Sequence, residues 1–227
     1  MTETSAPFTP AQATRGQIGT NDLVLVITGM GPKRARSAAS AALLNSDTSS
    51  KSSMCGGLSQ SLAETDVVVY TDCLSTDSNQ GRQQCSRQVT DRLASLLHSR
   101  NLPCTRVTLI TATRVATRPK EKAGLAQTGA EAVDMESYEI ISAAALAGVP
   151  SAVVRVVSDS VDRKMPNFNR AMTPDGRTNP YMAAAVCLIH PIATARLFSI
   201  SRRTIQRLGQ VAEIIFAADC YSDLSSQ

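Results

Sequence analysis

Apolar residues in this chain fall into two arrangements, and each predicts a different kind of element. Leu23–Thr28 reads LVLVIT, Val67–Tyr70 reads VVVY and Ser151–Ser158 reads SAVVRVVS. These short, β-branched runs predict buried strands, and Arg106–Thr111 predicts another. Apolar residues recur at helical spacing over Lys33–Leu44, Gln84–Ser99 and Ser137–Ala147. Pro32 stands near the first turn of the first of these, and Gly148 with Pro150 closes the third. Pro180–Ile189 and Pro191–Ala218 predict two further helices, separated by a break at Pro191, the second with several basic residues on its exposed side.

Polar stretches separate these elements. Met1–Gly19 lacks periodicity and reads as a tail, with one strand near Arg15–Ile18 that turns through Gly19-Thr20-Asn21-Asp22 into the next. Asn45–Ser53, NSDTSSKSS, reads as a loop, and so does Arg163–Asn179. With no interdomain linker or internal repeat, residues 20–227 are expected to form a single α/β domain following the tail at 1–19.

The most informative stretch is Val133–Asp162. Glu136 falls where a short apolar approach enters a helix, and Asp159 falls where the valine-rich strand ends. Ligands of open α/β sheets bind outside the carboxyl ends of the strands, which is where both acids are expected. On position alone such a pair could serve acid–base catalysis, metal binding or helix capping. Arg155, four residues before Asp159, shares its side of the strand and needs an anionic partner if buried. Glu139 is expected on a solvated helix face. Gly29-Met30-Gly31 and Met54-Cys55-Gly56-Gly57 are strand-to-turn elements whose amides can approach an anion or a sugar. The first lacks the third glycine of a dinucleotide fingerprint.

VDMES (133–137), GVP (148–150) and RVVSD (155–159), in that order, resemble the signature of the purine nucleoside phosphorylase and nucleosidase family, which includes methylthioadenosine/adenosylhomocysteine nucleosidases. GMGP (29–32), CGGL (55–58) and TGAEAVDMES (128–137) are most similar to its hopanoid-associated phosphorylase-like branch. The resemblance spans Leu23–Gly176 and implies a nucleoside phosphorylase-like fold, a mixed central sheet flanked by helices. It also implies an enzyme that cleaves the N-glycosidic bond of a purine nucleoside-like substrate, and the branch suggests a large apolar 5′ substituent.

By that resemblance Asp159 protonates the leaving base, Glu136 holds the ribose hydroxyls and Arg155 serves the nucleophile. Burial at a strand end is expected to raise the Asp159 pKa, so that it holds a proton near neutral pH. Ser158 orients the acid, Met135 packs against the sugar, and Met30, Met54, Cys55 and Gly56 line the sugar and nucleophile end. Val115 and Ala116 fall near the base. The family's N-terminal glutamate has no counterpart, since Glu3 is the only glutamate before Glu64. Met54, where phosphate-using relatives often carry Ser, cannot donate a hydrogen bond to phosphate. Water is therefore an acceptor alongside phosphate as co-substrate. A catalytically impaired nucleoside-binding or scaffold protein is the alternative.

Composition narrows the remaining choices. A net charge of +4 with no basic block argues against nucleic acid as a partner. Six scattered cysteines without a CxxC pair, and only two histidines, argue against a structural metal site, and the resemblance implies no metal or organic cofactor. No apolar run approaches the ~18 residues that span a bilayer and no signal peptide is visible, so a cytoplasmic protein with reduced thiols is expected. Family members are commonly homo-oligomers, and a dimer or trimer is expected here.

Overall fold

A computed structural model describes residues 12–18, 21–27, 31–43, 49–77, 79–171, 173 and 179–217. In chain order its elements are β1 (Gln12–Ile18), β2 (Asn21–Ile27), α1 (Pro32–Ala42), β3 (Ser49–Gly57), β4 (Val67–Ser75), β5 (Gln83–Gln84) and α2 (Arg87–Ser99). They continue with β6 (Cys104–Thr111), α3 (Pro119–Ala126), β7 (Ala132–Asp134), α4 (Ser137–Leu146), β8 (Ser151–Asp159), α5 (Pro180–Ile189) and α6 (Pro191–Ala217).

β1 and β2 form an antiparallel pair of their own; within the tail read from the sequence, the strand thus covers Gln12–Ile18. The other strands run in the order β5-β4-β6-β7-β3-β8. β3 and β8, β4 and β6, and β6 and β7 are parallel, whereas β3 meets β7 antiparallel. β8 also pairs antiparallel with β4 over Val67–Val69, so the sheet curls back on itself. This is the single mixed α/β domain expected from the sequence.

Alternation along the strands divides the core between the two faces of the sheet. Val68 and Tyr70 of β4 pack with Val153 and Val157 of β8 and with Tyr138 and Ile141 of α4. Val67 and Val69 pack with Val154 and Val156, with Leu93 and Leu97 of α2 and with Val211 and Ile215 of α6. β8 is therefore covered on both faces, as its valines require.

Two departures from the sequence reading shape the surroundings of the site. The polar segment read as a loop, Asn45–Ser53, supplies the first half of β3 from Ser49 onward, in parallel register with Ser151–Arg155. The neighbouring strand offers the backbone ladder that this segment's own composition does not call for, and tertiary pairing overrides propensity. The second departure is α3, eight residues long and too short for a periodic signal. Its N-terminus is fixed by Glu121, whose Oε2 accepts from Thr117 N at 2.8 Å and Arg118 N at 3.1 Å.

Candidate active site

The ends of β7 and β8, which run in opposite directions on either side of β3, bring the charged residues together. Gly56 of β3 lies between Val133 and Asp159 in the pairing register, so β3 separates the ends that carry the two acids. A Cβ on Gly56 would stand 3.2 Å from Val133 Cγ1 and 3.3 Å from Asp159 Oδ2. Only a residue without a side chain allows the strands to approach there without a shift.

Asp134 is the centre of the β7–α4 junction. It accepts from Thr111 Oγ1 at 2.8 Å, from the backbone amides of Glu136 and Ser137 at 3.2 Å, and from the Ser137 hydroxyl. It also pairs with Arg155, whose Nη2 donates to Ser137 Oγ at 2.7 Å and lies 3.7 Å from Glu136 Oε2. Burial works against the Arg155 charge, yet Asp134, with Tyr70 and Glu136, holds its pKa above the ordinary arginine value. Arg155 is 0% exposed, so the partner its burial demanded is primarily Asp134, and Glu136 is second.

Glu136 is the residue before α4 and remains half-buried. Its Oε1 accepts from Gly31 N at 3.1 Å, which ties the α1 entry turn to the site. Its carboxylate is thus held from one side by a backbone amide and approached from another by a guanidinium.

Asp159 sits 6% exposed at the end of β8, but its surroundings differ from the apolar setting expected. Lys122 of α3, 0% exposed, pairs with Oδ2 and donates to Ser160 O at 2.5 Å. On the other oxygen, Ser158 Oγ lies 2.6 Å from Oδ1 and 3.0 Å from Cys55 O. The valine-rich strand does bury the acid; a buried ammonium compensates that burial.

The remaining expected site residues separate by depth. Met54 is 39% exposed, whereas Cys55 and Met135 are buried, and Ser158 is half-buried beside Asp159. Burial pushes the Cys55 thiol up to about 12, so it is a packing group and not a nucleophile. Met30 and Gly29 lie outside the described residues. Asn169 clamps the loop carrying Val115 and Ala116, accepting from Val115 N at 3.0 Å and donating to Val115 O at 2.8 Å. Glu139, expected in solvent, is buried and accepts from Arg36 of α1 at 2.5 Å. A helix face that looks polar in sequence here meets a second helix bearing the complementary charge.

Lys122 and the junction role of Asp134 are missing from the sequence reading. Lys122 shares a helix face with Leu125 and Ala126, at the i, i+3, i+4 spacing of a buried stripe. That spacing marks the lysine as inward-facing once α3 is known.

Residues 3–185 match the family model of the phosphorylase superfamily, and the chain belongs to that superfamily. No curated protein matches it. Among solved structures it is similar to the 5′-methylthioadenosine/S-adenosylhomocysteine nucleosidase of Campylobacter jejuni, with a TM-score of 0.73 at 12% identity, covering 91% of this chain and 84% of that one. The corresponding Neisseria meningitidis nucleosidase, in complex with methylthio-immucillin-A, gives 0.70 at 17% identity over 94% and 89%. The futalosine hydrolase of Helicobacter pylori gives 0.65 at 13% identity over 90% and 88%. At these identities the likeness establishes a shared fold.

Proposed function

We propose that the protein cleaves the N-glycosidic bond of a purine nucleoside-like substrate, with water as the acceptor. The observation that carries this reading is the pairing of Gly56 with Val133 on one side and with Asp159 on the other, which brings the end of β8 and the β7–α4 junction bearing Glu136 to one place. In this reading Asp159 delivers a proton to the departing base and Glu136 accepts hydrogen bonds from the ribose hydroxyls. As C1′ gains positive charge, the Glu136 carboxylate stabilises it more strongly than in the ground state. Arg155 and Asp134 hold Glu136 in position, and Ser158 orients Asp159.

Water is favoured over phosphate by two features. Arg155 is neutralised by Asp134, and the Met54 side chain at the expected nucleophile end has no donor. Acid catalysis by protein groups needs no metal or organic cofactor. GMGP, CGGL and TGAEAVDMES support the hopanoid-associated branch and hence a large apolar 5′ substituent. The chain functions as a homo-oligomer in this reading, supported by the exposed apolar residues Tyr181, Leu188, Ile189, Ile192 and Phe198 of α5 and α6. No single helix among the described residues is long and apolar enough to cross a membrane.

The direct test is incubation of the purified protein with adenosine, methylthioadenosine, adenosylhomocysteine and a 5′-alkylated adenosine, with and without phosphate, and chromatography of free adenine. Phosphate-independent release is expected. Binding of all four nucleosides without release would instead establish a nucleoside-binding protein, and neither binding nor release would refute the proposal.

A further inference from the structure

The acid-and-sugar scheme leaves Lys122 unused. Its side chain is 0% exposed, and a buried ammonium without a function is costly to retain. Its contacts are directed: Nζ meets Asp159 Oδ2 and donates to Ser160 O at 2.5 Å, the carbonyl of the residue next to the acid. α3, which carries it, is fixed at its first turn by Glu121, and Thr117 O accepts from Met165 N at 2.9 Å. The turn that leads into the lysine's helix is therefore held in place.

The opposite carboxylate oxygen has a matching peculiarity. Ser158 Oγ lies within hydrogen-bond reach of both Cys55 O and Asp159 Oδ1, but a hydroxyl has a single hydrogen. When that hydrogen goes to Cys55 O, the 2.6 Å contact to Oδ1 is a hydrogen bond only if Asp159 itself carries a proton. When it goes to Oδ1, the site suits a carboxylate. The surroundings thus accommodate both protonation states of Asp159, with the Lys122 ammonium in contact with the other oxygen.

From this geometry we infer that Lys122 is the proton reservoir of the reaction, passing a proton through Asp159 to the leaving purine. The inference rests on the function proposed above. An N–H bond of the Lys122 ammonium breaks and its proton moves to the Asp159 carboxylate. The carboxyl then gives a proton to a ring nitrogen of the base as the C1′–N bond breaks, and the bonding pair leaves with the base. Water forms the new C1′–O bond and loses a proton, which by way of solvent restores the ammonium. Nucleoside and water become sugar and neutral base, with no net gain or loss of protons. Lys122 touches Asp159 and is a positioning and supplying residue; Asp159 is the group that meets the base.

The test compares the wild-type enzyme with Lys122→Met and Lys122→Arg on a purine nucleoside and on its 7-methyl derivative, whose cationic base departs without a proton. Thermal melting confirms the fold of each variant, and Lys122→Arg retains the charge that pairs Asp159 should Lys122→Met fail to fold. Arginine stays protonated in proteins, so it preserves the ion pair but cannot release the proton. On the unmethylated nucleoside, both variants are expected to lose 10²-fold or more in kcat with KM little changed, the range of a general acid. On any methylated nucleoside the wild type turns over, the loss should stay within about five-fold. A Lys122→Arg enzyme as fast as the wild type would overturn the inference while leaving the proposed function standing, as would equal losses on both substrates. A wild-type protein that cleaves neither substrate would overturn the proposed function itself.

Discussion

Arg155 carries its charge between Val154 and Val156, where water does not reach, and Asp134 answers it. Removing one member of such a pair leaves the other buried and uncompensated, which costs about 3–5 kcal/mol. Arg155→Ala is therefore expected to lower the denaturation midpoint sharply, while the double variant Arg155→Met with Asp134→Asn restores part of the loss; chemical denaturation of the two variants against the wild type checks this. Gly56 makes the opposite demand, for space. Gly56→Ala brings a methyl to 3.3 Å from Asp159 Oδ2 and 3.2 Å from Val133 Cγ1, and is expected to cost about 1–3 kcal/mol through displacement of these neighbours. Denaturation measures that cost, and loss of turnover beyond the change in folded fraction shows that the acid has moved.

At the scale of elements, α3 links the acid to the rest of the fold. Backbone donation from Thr117 holds the Glu121 pKa below the ordinary glutamate value, even against burial and with a further hydrogen bond from Arg118. A group lowered on folding stabilises the native state above its unfolded pKa of about 4.3, and that contribution disappears as pH falls through the lower folded value. Glu121→Gln is accordingly expected to lower the melting temperature at neutral pH and to match the wild type in strong acid. A penalty that persists unchanged into acid would contradict the assigned cause.

The valine runs of β4 and β8 and the stop at Gly148 were legible because their patterns are local. β3 was not, since Ser49–Ser53 becomes a strand by pairing with β8. Glu136, Arg155 and Asp159 could be singled out because the family motif surrounds them. Lys122 escaped because it lies 37 residues before Asp159 on a helix of only eight residues. Asp134 does not stand out in the sequence, because its importance depends on Thr111, Ser137 and Arg155 arriving from three elements.

For the whole molecule, the curled sheet places its working edge between α1, α3 and α4, while α5 and α6 turn large apolar side chains outward. Sedimentation is expected to show a dimer or trimer, and Leu188→Glu with Ile189→Glu is expected to shift it towards monomer; a monomeric wild type would contradict the proposed assembly. In the proposed reaction, everything turns on proton delivery by Asp159 at the end of β8. It is tested most directly by adenine release from the best-cleaved adenosine-type nucleoside, measured for wild type and Asp159→Asn alongside the affinity of each for that nucleoside. Release is expected to fall by 10²-fold or more in Asp159→Asn, with affinity changed by less than about ten-fold. Undiminished release by a correctly folded Asp159→Asn protein would contradict it.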